Sequence, residues 1–291
     1  VATTAADAGA FSVPGFIGMF AVAASYNITY APYVSDYSRY LPKNTPQGTI
    51  ISSVFFGASG SPVLLMPLGA WLAIHLGVSD ALVGIHDAGN QLVGNLGTIL
   101  ALLAVGALVA TKVMNAYSGM LSVVTAVDSY RPVSPGSRAR ITTILVLAAT
   151  WLALGIALAD SLSVVNNSLL VMLYLLSPWT AINLVDFYFV RHGRYAIADL
   201  FTPSGIYGRW GRRGVITYLV GIAIELPFMY IPGWYESWGT LKLQYVDIAW
   251  ILGLAISGGL YWALTRDLNL AAEQPAIEAS VRRLEQSGSA R

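Results

Sequence analysis

The first hydrophobic stretch of the chain carries polar side chains near its centre. Ser25, Asn27, Thr29 and Tyr30 lie close together there, and Pro32 follows directly. A polar group left unpaired in hydrocarbon costs several kcal/mol, so such a cluster is unusual in a segment that faces lipid. Asparagine and threonine side chains compete for backbone hydrogen bonds, and proline removes a backbone donor. The pattern predicts a helix that breaks at mid-membrane and offers free backbone groups to a solute.

A second polar face lies in a later hydrophobic stretch. Thr111, Asn115 and Ser118 recur at the spacing of one helix face. An interhelical hydrogen bond would explain an intramembrane amide, but the two hydroxyls beside it favour contact with a ligand. Lys112 lies about 60° from Asn115 around the helix axis. It either extends its ammonium toward the cytoplasm or takes part in ion coupling.

Other ionisable residues in the hydrophobic stretches have structural interpretations. Asp36 and Arg39 are spaced to form an ion pair at the inner mouth of the first span. Asn183 and Asp186 lie near the inner end of a later apolar run and are expected to cap it, while Glu225 beside Pro227 is expected to satisfy a helix kink. None of these residues is therefore needed for catalysis, and no enzyme is predicted.

The composition predicts a membrane-embedded protein. The chain has 291 residues, of which 56% are hydrophobic and 11% charged, and its mean hydropathy is +0.62. A soluble domain carries about 25% charged residues. The chain has no cysteine, and its three histidines are scattered, so no metal site is expected. It also lacks a phosphate-binding Gly-x-x-x-x-Gly-Lys-Ser/Thr loop, so nucleotide hydrolysis is not predicted.

Seven apolar stretches are long enough to cross a hydrocarbon layer of about 30 Å. They are Phe11–Val34, Thr49–Leu76, Leu92–Val127, Ile141–Ala159, Leu162–Val190, Val215–Ile231 and Val246–Leu264. The third is longer than a minimal span and must tilt or bend. Residues 77–91 are expected to form a short external loop or half-helix.

The basic residues predict how these spans are oriented. Fourteen of the sixteen lysines and arginines lie in alternate connections or in the C-terminal tail. Of the other two, Lys242 lies in an opposite loop and Lys112 inside the third span. By the positive-inside rule, the N-terminus lies outside and the C-terminus in the cytoplasm. The basic residues follow topology, so nucleic acid is not an expected partner.

Three segments resemble the nucleobase:cation symporter-1 family, in its cytosine and purine permease branch. Residues 30–42 read Tyr-Ala-Pro-Tyr-Val-Ser-Asp-Tyr-Ser-Arg-Tyr-Leu-Pro, and the Asp-Tyr-Ser-Arg-Tyr element is the most specific part. Residues 115–119 (Asn-Ala-Tyr-Ser-Gly) and 182–195 are similar to the family's eighth and tenth helices. The resemblance covers nearly the whole chain.

The resemblance implies an all-α fold with seven transmembrane helices, matching helices six to twelve of a five-plus-five inverted-repeat transporter. Residues 1–265 would form the membrane domain and 266–291 a cytoplasmic tail. Within the domain, the second inverted repeat would cover about 11–190 and two accessory helices about 215–264. The chain would then be a fragment without helices one to five and would not transport by itself. The full-length protein would be a monomer in the cytoplasmic membrane.

The resemblance also implies a substrate site. Ser25, Tyr26 and Asn27 match the family's sixth helix and Asn115 its eighth helix. An amide offers donors and an acceptor to the edge of a base, and the ring of Tyr26 or Tyr30 offers a face for stacking. Together with the polar face of the third span, the predicted binding residues are Ser25, Tyr26, Asn27, Tyr30, Thr111, Asn115 and Ser118.

The coupling cation is predicted to be a proton rather than sodium. Sodium-coupled members of the family carry a Ser/Thr pair on helix eight, where this chain has Val109 and Ala110, followed by Thr111. The departure leaves proton coupling, or a surrogate charge from Lys112, as the expectation. No cofactor is expected.

The predicted function is cation-coupled symport of cytosine, a purine or a related heterocycle by alternating access. The alternative is a seven-helix membrane receptor or sensor that binds a small ligand, since such proteins also have seven spans with the N-terminus outside and the C-terminus inside. A retinal protein would need a lysine in the last span, and Val246–Leu264 has none.

Overall fold

The structure is a computed structural model. It describes residues 11–38, 40–42, 44–77, 81–128, 130, 136–157, 161–200, 202 and 204–289. The helices of these residues are α1 (Val13–Ser38), α2 (Gln47–Leu76), α3 (Ala81–Leu92), α4 (Leu96–Asp128), α5 (Ser137–Ala157), α6 (Ser161–Val185), α7 (Ile197–Leu200), α8 (Arg212–Glu225), α9 (Trp238–Lys242), α10 (Ala249–Thr265) and α11 (Leu270–Ser289). A π-helical turn (Asp186–Val190) extends α6, and a 3₁₀ turn (Leu226–Phe228) follows α8. The strands β1 (Tyr230–Ile231) and β2 (Tyr235–Glu236) form a small antiparallel hairpin.

Within the part of the chain that the structure describes, four helices are long and apolar enough to cross a membrane. They are α2, α4, α5 and the segment Ser163–Val190, which joins α6 to its π-helical turn. The apolar α10 is shorter, and the 14 residues of α8 give a length of only about 21 Å. Large apolar side chains on α2, such as Phe56 and Leu64, are more than 70% exposed. Lipid is the solvent that makes such exposure favourable.

The predicted break in the first span is wrong. Residues Val13–Ser38 form one uninterrupted α-helix, with Pro32 inside it. The polar side chains do not interrupt the backbone because they bond to it: the Asn27 amide donates to the Ala23 carbonyl over 2.9 Å, and the Thr29 hydroxyl donates to the Ser25 carbonyl over 2.7 Å. Such bonds satisfy the side chain and leave the helix intact.

The third predicted span begins too early. Leu92 ends α3, a turn follows in which Asn95 has a φ of 68°, and α4 starts at Leu96. The Asn90 side-chain oxygen accepts from the Gly97 N–H over 3.0 Å and fixes this turn. The segment after α2 is thus a half-helix, one of the two predicted forms. The last residues of the fourth predicted span, 158 and 159, lie outside the described residues.

The chain forms two compact units. The first contains Val1–Tyr30 and Leu162–Arg291, and the second contains Ala31–Ser161. In the second unit, α4 contacts both α3 and α5. In the first unit, α1 packs through Ala21 and Ile28 into a core that includes Leu173 and Tyr174 of α6 and Trp250 of α10. These contacts set which face of α1 is buried.

Two glycines allow α8 and α10 to approach each other closely beside α6. A Cβ on Gly221 would lie 2.1 Å from the Ser257 hydroxyl, and a Cβ on Gly253 would lie 1.6 Å from a Glu225 carboxyl oxygen. The Ser177 hydroxyl of α6 lies 3.0 Å from the same Cβ position on Gly253. Small residues at helix interfaces of this kind let backbones and polar side chains meet inside a membrane.

We expect Gly253→Ala to lower the free energy of unfolding by about 1–3 kcal/mol, because the new methyl overlaps Glu225. Gly259→Ala on the same helix is the matched control, since nothing lies within 4 Å of its Cβ position. Alanine is the better helix former, so the control should be neutral or slightly stabilising. Thermal unfolding in detergent measures both, and equal effects would contradict the close contact.

Candidate substrate-binding faces

The buried side of α1 contains two of the predicted polar residues. Ser25 is 5% exposed, and its hydroxyl donates to the Leu169 carbonyl of α6 over 3.2 Å. Thr29, one turn later, is also buried and bonds back to the Ser25 carbonyl. The structure therefore places Ser25 in the contact between α1 and α6, where its hydroxyl already has an acceptor.

The opposite side of α1 presents two tyrosines. The rings of Tyr26 and Tyr30 lie 6.1 Å apart between centroids and only 4° from parallel. They are four residues apart, so they occupy one helix face, turned away from Ala21 and Ser25. Tyr26 is 42% exposed, and Asn27 is exposed beside it. Parallel aromatic faces next to an amide can stack against a flat solute and hydrogen-bond to its edge.

The face that Thr111, Asn115 and Ser118 share on α4 is preserved, because α4 is continuous through these residues. The Thr111 hydroxyl donates to the Ala107 carbonyl over 3.0 Å. Ser118 is 5% exposed, and among the described residues its hydroxyl has no hydrogen-bond partner. Asn115 is half-buried between them. A buried hydroxyl without a protein partner is normally satisfied by water or a ligand.

The four residues predicted for cation coupling differ in what they offer. Val109 and Ala110 are exposed and apolar, and the Thr111 hydroxyl already bonds to its own helix. The Lys112 ammonium lies 6.0 Å from the centroid of the Trp151 ring on α5. That distance is at the limit of a cation–π contact. The Lys112 side chain therefore extends toward α5.

Two of the three segments that carry the family resemblance meet in the second unit. The hydroxyl of Tyr40, which follows α1, is hydrogen-bonded to the hydroxyl of Tyr117, which lies two residues after Asn115. Asp36 is half-buried near the end of α1. Its predicted partner Arg39 lies outside the described residues. The Tyr26 face belongs to the first unit and the Asn115 face to the second.

A charged cluster that the sequence did not reveal lies at the end of α6. Arg191 binds Asp186 through one guanidinium nitrogen and Glu273 of α11 through two others, each 3.2 Å from a carboxylate oxygen. The hydroxyls of Tyr195 and Tyr261 donate to Asp186 over 2.7 and 2.8 Å. Asp186 lies near the predicted helix end. Its side chain joins the segment that follows α6, through Arg191 and Tyr195, to α10 through Tyr261.

The electrostatics of this cluster favour the charged guanidinium. Burial lowers the pKa of Arg191, but the hydrogen bond to Glu273 and the charges of Asp186 and Glu273 outweigh it, and the pKa is raised overall. Burial raises the pKa of Tyr195, and the hydrogen bond to Asp186 raises it further. The tyrosine thus remains a neutral donor and the arginine a cation, so the cluster is a structural clamp.

Comparison with known proteins identifies the family. The model of the family described as permeases for cytosine/purines, uracil, thiamine and allantoin matches residues 2–253. A protein of Bacillus subtilis (strain 168) named "Putative purine-cytosine permease YxlA" is 34% identical over 267 residues. The match covers 89% of this chain and 56% of that protein, so the chain spans about half the length of its relative. No solved structure matches the chain.

The family match confirms the resemblance that the sequence motifs suggested, and it agrees with the long apolar helices. A receptor or an enzyme is not supported by it. The chain therefore belongs to the family of multi-pass membrane permeases for cytosine/purines, uracil, thiamine and allantoin.

Proposed function

We propose that this chain is the second half of a symporter that carries a nucleobase or related heterocycle across the cytoplasmic membrane by alternating access. Family membership over residues 2–253 carries the proposal. Because the chain spans 56% of its relative, transport is assigned to the complete permease. From the order of its motifs, we assign this chain to helices six to twelve. Residues 11–190 form the second inverted repeat, 215–264 the accessory helices and 266–291 a cytoplasmic tail. The complete permease is a monomer with its C-terminus in the cytoplasm.

The α1 face and the α4 face each offer a different kind of contact to a base. The exposed side of the Tyr26–Tyr30 pair stacks on the base, which is worth about 1–3 kcal/mol per stacked base in other proteins. Asn115 reads the edge of the base, since an amide can donate and accept at the same time. The unpartnered Ser118 hydroxyl supplies a further hydrogen bond. Ser25 supports the site indirectly by fixing α1 on α6.

The coupling ion in this proposal is a proton. The side chains of Val109 and Ala110 offer no oxygen to a sodium ion, and the Thr111 hydroxyl is already bonded to the helix. Sodium is a hard cation that needs several oxygen ligands. Lys112 lies beside Trp151 at this level of α4.

Uptake of labelled cytosine or adenine into proteoliposomes containing the complete permease tests both parts. We expect accumulation to follow the proton gradient, with a one-unit pH difference supporting up to about a tenfold concentration ratio for each proton carried. A sodium gradient at equal pH should have no effect. Sodium-dependent uptake would overturn proton coupling, and no uptake of any nucleobase would overturn the transport function.

A further inference from the structure

Buried polar side chains lie in a row between α6, α8 and α10, which we call the seam. At one end, the Tyr174 hydroxyl of α6 donates to Asp247, which precedes α10. In the middle, the Ser177 hydroxyl donates to Glu225 of α8. At the other end, Tyr261 of α10 donates to Asp186. From Tyr174 to Asp186 the seam is about 18 Å long, which is more than half of a membrane's hydrocarbon thickness.

Glu225 is the least expected member of the seam. It is 0% exposed, and one carboxyl oxygen accepts from Ser177 while the other has no partner among the described residues. No described lysine, arginine or histidine forms an ion pair with it. An ionised carboxylate without a cation is very costly to bury, so this environment favours the neutral, protonated form of the Glu225 carboxyl.

Two further buried hydroxyls continue the seam from Glu225 toward Asp186. Ser257 and Thr217 are both 0% exposed, and neither hydroxyl has a partner in the described part of the chain. Thr217, Gly221 and Glu225 are spaced one turn apart on α8, and Ser257 lies beside Gly221. Polar atoms therefore recur at every turn. Buried polar atoms without protein partners are normally bridged by ordered water.

We propose that this seam is a proton path in which Glu225 holds the proton and water-bridged Ser257 and Thr217 connect it to Asp186. In each transfer one O–H bond breaks and one forms on the next oxygen. Glu225 is left as a carboxylate, and the proton leaves to water at the Asp186 end, where that side chain is 15% exposed. The other titratable groups that interact electrostatically with Glu225 are Asp247, Tyr174 and Tyr218. A role of this path in transport rests on the proposed proton coupling. The presence of a proton on the Glu225 carboxyl does not depend on that proposal.

Infrared difference spectroscopy of the full chain in lipid nanodiscs, with isotope-labelled glutamate, tests the proposal. At neutral pH we expect the carbonyl band of a protonated glutamic acid, which Glu225→Gln removes. Glu273→Gln is the matched control, because Glu273 is ion-paired with Arg191 and should contribute no such band. Should Glu225→Gln fail to fold, Ser177→Ala gives the same assignment by shifting the band, since it removes the hydrogen bond to the carboxyl.

Exchange into D₂O then distinguishes a carboxyl on a proton path from a buried carboxyl that water does not reach. We expect the Glu225 band to shift rapidly in the folded protein and about tenfold more slowly in Thr217→Val or Ser257→Ala. Thr150→Val is the control, because that hydroxyl bonds to its own helix in the second unit. A missing band, a band that does not exchange, or equal rates in all variants would overturn the path. Neither readout needs uptake, so failure here is distinct from failure of the transport function.

Discussion

Replacing Asn115 with alanine is expected to abolish measurable uptake of labelled nucleobase by the complete permease. The substitution removes a donor and an acceptor from the polar face of α4, and in the proposed site it would leave the edge of the base unpaired. Each lost hydrogen bond costs about 1–3 kcal/mol when its partner stays buried. Two such losses weaken binding at least about thirtyfold. Asn115 is half-buried, so the shorter side chain should not prevent folding.

The matched control for this prediction is Asn183→Ala. The Asn183 amide donates to the Trp179 carbonyl of its own helix over 2.8 Å, so it serves the backbone of α6. Its loss should change uptake less than twofold, because this bond serves the backbone of α6 and not the polar face of α4. Both variants are compared at equal amounts in the membrane. Uptake retained in Asn115→Ala would remove this residue from the substrate site.

Arg191→Ala is expected to cause the largest loss of stability, about 3–5 kcal/mol in the free energy of unfolding. The guanidinium neutralises Asp186 and Glu273, and its side chain is only 11% exposed. Without it, two carboxylates face each other in a largely buried site. We expect α11 to separate from the end of α6, which limited proteolysis of the tail would detect.

The contrast with an exposed pair makes this prediction specific. Arg266 and Asp267 are 61% and 87% exposed and 3.9 Å apart, so Arg266→Ala should cost less than about 1 kcal/mol. Adding Glu273→Gln to Arg191→Ala should recover part of the loss, because it removes one of the two unpaired charges. Chemical unfolding in detergent measures all three variants. Similar losses in Arg191→Ala and Arg266→Ala would contradict the clamp.

Sequence patterns predicted the structure correctly where it depends on residues within one helix. The polar face of Thr111, Asn115 and Ser118 follows from helical periodicity alone, and α4 preserves it. The long apolar stretches became helices because, in hydrocarbon, the backbone must satisfy its own hydrogen bonds. The family, too, was recognisable from short motifs, and the match over residues 2–253 confirms it.

The break expected in α1 shows where local reasoning was misleading. Polar residues and a proline indicated a broken helix, yet Asn27 and Thr29 find acceptors among the carbonyls of their own preceding turn. Such acceptors are available in any helix, so polarity alone does not distinguish a ligand site from a self-satisfied side chain. Which face of α1 is buried was decided by packing on α6.

Short motifs and helical periodicity were enough to identify a helical membrane permease and the polar face of α4. Which distant groups meet depends on how the helices pack: Ser177 contacts Glu225 across 48 residues, and Arg191 contacts Glu273 across 82. Periodicity describes the surface of one helix. A buried ion pair or hydrogen bond between helices depends on how several helices are placed around it. The physical reason is that the free energy of a buried charge is set by all of its neighbours at once.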